Sequence, residues 1–178
     1  MIEQLSEPIV GNGFKWESMS PAMPVVSKFS AAEWHKIHTE TSTDEEFSAW
    51  LLKYKSICTP LLLLRRGVPI AFVFVVYDNY KRRSVMIHGG TWLAGHSYSL
   101  TLFRAMAVLA TYLMNKGFLV HSQCNSRNTV SERFLRGCGF VPYAREDGYI
   151  KFYITQTTIG KSRLYRHQIE HSRPSQPR

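Results

Sequence analysis

Few side chains in this 178-residue sequence could move a proton near neutral pH. An imidazole changes charge in that range, and His88 closes the apolar stretch SVMIHGG just ahead of the long helix. It is the leading candidate for a general base; as a strand-end histidine it could equally be bonded to backbone. Tyr143, Tyr149 and Tyr153 could donate a proton, although tyrosines in a terminal hairpin more often pack with a satisfied hydroxyl. Glu146 and Asp147 read as solvated turn residues. Asn128 stands where a strand gives way to a helix, where its amide can cap exposed backbone N–H groups, and Ser131 follows one turn later on the same side.

Metal chemistry finds no closed ligand set. His35 and His38 are three apart and His167 and His171 four apart, without the further ligands a closed site needs. His121 and Cys124, three apart on a strand, point to alternate faces. No metal is expected. The three cysteines, Cys58, Cys124 and Cys138, form no CxxC pair and read as reduced, small core residues.

The elements that position these residues follow from periodicity and punctuation. The first 28 residues are rich in Gly and Pro and read as a lead-in with a short strand near Val25 to Phe29. Ser30 to Glu33 and Ser42 to Glu45 both show the capping-box pattern, predicting a helix through His38 and a second, amphipathic one carrying Phe47, Trp50, Leu51 and Tyr54. From Thr59 the apolar runs LLLLRR, IAFVFVVYDNY and SVMIHGG are joined by short turns, predicting three antiparallel strands. A buried helix over Ser97 to Lys116, a strand FLVHSQC, a short helix over Asn128 to Gly137, and strands over Phe140 to Tyr143 and Tyr149 to Thr155 complete the order α-α-β-β-β-α-β-α-β-β. The expected domain spans 29–160, between the lead-in 1–28 and a basic tail 161–178.

Composition bounds the function classes. With 44% hydrophobic and 20% charged residues the chain can bury a real core, which excludes wholesale disorder. MIEQLSEPIV lacks the basic, apolar start of an export signal, and Ser84 to Phe103 is too broken by Gly and His to span a bilayer, so a cytoplasmic protein with no membrane partner is expected. The net charge of +9 favours anionic partners.

One motif is specific. In RNTVSERFLRGCGF, Asn128 is followed three on by Ser131, six on by Phe134, and eleven and twelve on by Gly139-Phe140. This resembles the second-helix motif of the GCN5-related N-acetyltransferase (GNAT) superfamily, as does the element order, over roughly Thr59 to Thr155. The resemblance implies an α/β (α+β) fold with a mixed, mostly antiparallel central sheet flanked by helices. It also implies acetyl-CoA as co-substrate, with Asn128 and Ser131 beside its pantetheine arm. The family's pyrophosphate loop falls on Trp92-Leu-Ala-Gly95-His-Ser97, where Gly95 matches, Ser97 is a small substitute, Trp92 departs, and the amides of Gly95, His96 and Ser97 would face the anion. In the branch acting on ribosomal-protein N-termini a Glu and a Tyr do the proton chemistry; their positions are Gln123 and Leu135 here, so that pair does not carry over. A related branch places a serine at the Ser131 position to assist the thiol, which leaves Ser131 and His88 as the catalytic candidates.

Three functions follow. A coenzyme-A-dependent N-acyltransferase would act on an amine-bearing small molecule or a protein N-terminus. The NT-to-RFL-to-Gly stretch also resembles small acetyltransferase-like proteins of tailed bacteriophages, which would make this a non-catalytic virion or head-assembly protein with phage structural partners. The third is nucleic-acid binding through Arg163, Tyr165 and Arg166, although a short basic tail is more often just solvated.

Overall fold

The structure, a computed structural model, describes residues 7–18, 58–79, 81–91 and 99–161. Eight strands form one sheet. They are β1 (Ile9–Gly11), β2 (Phe14–Ser18), β3 (Cys58–Arg65), β4 (Val68–Asn79), β5 (Ser84–Thr91), β6 (Leu119–Asn125), β7 (Val141–Glu146) and β8 (Tyr149–Ile154). Among the described residues three helices are interspersed: α1 (Ser99–Asn115), α2 (Thr129–Gly137) and α3 (Gln156–Lys161). The order across the sheet is β1-β2-β3-β4-β5-β6-β8-β7, and only β5 and β6 pair in parallel. This is the mixed, mostly antiparallel sheet flanked by helices that the sequence leads one to expect.

The lead-in is more structured than its composition suggests. Ile9, Phe14 and Trp16 point inward at alternate positions of a hairpin closed through Gly13, whose φ is 78°. With so few strand residues on either side of the turn, its alternation is too short to stand out in the sequence. The strand expected near Val25 to Phe29 and both early helices lie outside the described residues. The chain also adds α3, where Thr158 and Thr155 bond one another's backbone and side chains and Gln156 bonds Asn115 at the end of α1.

One face of the sheet carries the main core. Leu61, Leu63, Val73, Val75, Val85, Ile87, Val120, Phe152 and Ile154 meet Leu102, Ala105, Met106, Leu109 and Leu113 of α1. The α2 helix lies on the same side: Leu135 and Cys138 join this cluster, and the Phe103 and Phe134 rings stack at 4.8 Å. Gly137 sits so close to Phe103 that a Cβ would run into the ring. Trp16 reaches the cluster from β2, and its Nε1–H donates to the Ala105 carbonyl at 2.9 Å.

Glycine 139 shows what the Gly-Phe step after α2 is for. Its φ is 95°, and an added Cβ would lie 3.0 Å from the Ile159 Cα of α3. Only glycine turns the chain there and lets α3 dock. The cysteines behave as core residues: Cys124 and Cys138 are buried and Cys58 is half-buried. Burial pushes the Cys58 thiol up to about 12 and, with help from the Glu132 carboxylate, that of Cys124 up to about 11; it holds Cys138 well above the ordinary thiol range.

Two outcomes follow. Replacing Trp16 with Ala should cost about 3–5 kcal/mol in urea unfolding, and with Phe only about 1–2, since Phe keeps most of the buried area but loses the indole hydrogen bond. All three thiols should resist a thiol reagent at pH 8 in the folded protein and react at the ordinary rate in urea, because the thiolate is the reactive form.

Candidate functional site

The parallel pair β5 and β6 is joined at one end and parted at the other. Pairing begins where Leu119 N–H donates to the Arg83 carbonyl at 2.8 Å. It continues through Ser84↔Leu119, Val85↔Val120 and Met86↔His121, and stops. The next bond is made by a side chain: the buried Ser122 hydroxyl donates to the Ile87 carbonyl at 2.8 Å. Beyond it each strand follows its other neighbour. β5 stays with β4 as far as Ala71↔Thr91, and β6 stays with β8 as far as Asn125↔Tyr149. The result is a fork whose inner edges, residues 88–91 and 122–125, are unpaired with each other.

Sequence explains why β5 can take this path. At Gly89 a Cβ would run into the Phe72 carbonyl oxygen, so β5 hugs β4 there only because the residue is glycine. Gly90 follows it, so two adjacent residues on this side of the gap carry no side chain.

At the open end of the fork, β6 turns into α2. Asn128 caps the helix, its Oδ1 accepting the Ser131 N–H at 3.0 Å. The capping reading of Asn128 is therefore realised. It commits the carboxamide oxygen and leaves the carboxamide N–H groups to donate elsewhere. Asn128 and Ser131 are thus brought together, both half-buried, at a helix N-terminus that favours negative charge. Glu132 in the same turn is neutralised by Arg136 at 2.9 Å, with Arg145 of β7 4.0 Å away.

His88 lies elsewhere. It is two residues past the last parallel pair and 6% exposed, opposite Phe74 on β4 and hence on the sheet face away from α1 and α2. The fork lies between His88 on one face and Ser131 on the helix side, so the structure does not bring these two candidates together on one surface. Gly95, His96 and Ser97 lie outside the described residues. Among the described residues no cluster of three or more His, Cys, Asp or Glu is poised for a metal ion, and no helix is long and apolar enough to cross a membrane.

Sequence reading passed over one pair. His121 Nε2 and Asp78 Oδ2 are 2.7 Å apart. Asp78 is the extra residue of a bulge between Tyr77↔Val85 and Asn79↔Ser84, which lets it reach across β5 to β6. Nothing in a sequence marks such a contact over a separation of 43 residues. The tyrosines also differ from expectation: Tyr143 and Tyr153 are 57% and 39% exposed and lie 6.0 Å apart, so they are surface aromatics and not packing residues.

No protein-family model and no curated protein matches the chain. Solved structures do. A spermidine N-acetyltransferase from Vibrio cholerae, in complex with CoA and spermine, matches with a TM-score of 0.63 at 12% identity, covering 84% of this chain and 99% of that one. A probable GNAT-family acetyltransferase from Chromobacterium violaceum matches with a TM-score of 0.67 at 15% identity, covering 85% and 92%. The aminoglycoside acetyltransferase AAC(6')-Ib, in complex with coenzyme A and kanamycin, matches with a TM-score of 0.65 at 12% identity, covering 84% and 99%. This chain has the fold of these GNAT acetyltransferases.

Proposed function

We propose that the protein is a coenzyme-A-dependent N-acyltransferase that moves an acetyl group from acetyl-CoA to a primary amine. The observation that carries this reading is the fork between β5 and β6 with Asn128 and Ser131 at its open end. A gap between two extended strands suits an extended, amide-bearing arm, because the two inner edges make no ladder bonds to each other and their backbone groups can bond to such an arm as a strand would. Pantetheine is such an arm. Of the three solved structures compared above, two contain coenzyme A.

Each residue then has a task. The N–H groups of Asn128 donate to a carbonyl of the arm, while its Oδ1 stays on the helix cap. Gly95, His96 and Ser97, just ahead of α1, offer backbone amides to the pyrophosphate. The acceptor amine must be neutral to attack the thioester carbonyl; the C–S bond then breaks and the thiolate takes up a proton. Ser131 lies within α2's first turn and is the residue proposed to assist that thiol, and His88 stands beside the fork on the opposite face. The raised thiol pKa values argue against a cysteine carrying the acetyl group. The two cofactor-bound neighbours are named for different acceptors, a polyamine and an aminoglycoside, so the acceptor here is described only as a primary amine on a small molecule or a protein N-terminus.

Titration calorimetry with acetyl-CoA tests the reading. Wild-type protein should bind in the micromolar range. Asn128→Asp should keep the cap and the wild-type stability but lose about tenfold or more in affinity, since it replaces a donor with an anion; Asn128→Ala should lose the affinity and about 1 kcal/mol of stability as well. No heat of binding at millimolar acetyl-CoA would refute the enzyme and leave a non-catalytic assembly protein on the same scaffold.

A further inference from the structure

The acceptor amine needs a route to the fork and a group to take its proton. Among the described residues the α1 and α2 helices cover one face of the sheet, which leaves the other as the side from which an acceptor can meet the fork. On that face β4 is closed, with Phe72, Phe74 and Val76 buried. Over β8 and β7 Tyr153 and Tyr143 are exposed, and His121 and Gln123 of β6 are half-buried. His121 lies on this face opposite Tyr153, at the last parallel pair and one residue before the Ser122 bond where the strands part.

We infer that His121, oriented by Asp78, is the proton acceptor for the acceptor amine; this rests on the acyltransferase reading above. Three features of the pair fit the task. The Asp78 carboxylate can only accept, so Nε2–H is the donor across the 2.7 Å contact and Nδ1 is the ring nitrogen assigned to the acceptor amine. A carboxylate that fixes the tautomer and steadies the imidazolium is what a base of this kind requires. The His121 side chain is 23% exposed and Asp78 39%, so a captured proton can reach water, as it cannot directly from buried His88.

Among the described residues, the charged and titratable groups around the imidazole are few. Asp78 faces it from β4, Tyr153 from β8, and His88 lies farther along β5 on the same face. Lys151, the next same-face residue on β8, is held by Glu146 of β7.

The step balances simply. The ammonium form of the acceptor passes one proton to Nδ1 of His121. The neutral amine attacks the acetyl carbonyl, the C–S bond breaks, and the second amine proton goes to the departing sulfur. His121 then returns its proton to solvent. The products are an amide, free coenzyme A thiol and one released proton.

The test follows thiol release from acetyl-CoA with glycinamide as the amine probe, alongside calorimetric acetyl-CoA affinity and thermal melting of each variant. His121→Ala should lower the rate by about 100-fold or more, with acetyl-CoA affinity unchanged. Added imidazole should restore part of that rate, which a purely structural role would not allow. Asp78→Asn, which keeps the size of the residue but loses the charge, should lower the rate by about tenfold. Acetyl-CoA binding without His121-dependent thiol release, whether release is absent or unchanged in the variants, would overturn the assignment. Failure of the wild-type protein to bind acetyl-CoA would overturn the parent reading instead.

Discussion

Two parallel strands that do not stay paired are the constraint around which the rest of the molecule is arranged. β5 and β6 share three register pairs and then separate, β5 staying with β4 through Thr91 and β6 with β8 through Asn125. At Val85↔Val120 and Met86↔His121 both strands are paired on both edges, so nothing in the outer pairings forbids closing the gap above them. The parting is sealed at a single point by the Ser122 hydroxyl on the Ile87 carbonyl. Above that point the two strands make no ladder bonds to each other, and backbone groups that face such a gap need another partner, for which water or a ligand can serve.

Around the fork the protein is rigid where it needs to be. At its base, Arg83 Nη2 donates to the Lys116 carbonyl at 2.6 Å, tying the β4–β5 turn to the end of α1 while the Arg83 carbonyl starts the parallel ladder. At its mouth, Asn128, three residues past the end of β6, caps α2, and Gly139 with Phe140 ends α2 against α3 and the core. The same short helix thus carries both the packing that fixes its position and, at its cap, the carboxamide proposed to meet the arm. Fold and site are not separable here, so a variant of Asn128 must be judged by stability and affinity together.

Much of this was legible in the sequence, and the parts that were not share a cause. The apolar runs of β3 to β5, the long α1 and the Asn128 to Phe140 motif are local patterns, each longer than its own noise, and they appear where expected. The β1–β2 hairpin is local too, but with three and five strand residues its alternation is too short to stand out among the glycines and prolines of the lead-in. The His121–Asp78 contact depends on a bulge that re-aims Asp78 across an intervening strand. That is tertiary information, as is the facing of His88 away from Ser131. Gly139 was read as one step of a motif, whereas its steric role against Ile159 emerges only from the packing of α3.

Amide hydrogen exchange would test the fork most directly. The account predicts that N–H groups facing the gap in residues 88–91 and 122–125 exchange rapidly in the free protein. Saturating acetyl-CoA should slow them by about tenfold or more, while those of residues 84–87 and 119–121 hardly change. Slow exchange at the inner edges before any ligand is added, or no added protection when acetyl-CoA is bound, would contradict it.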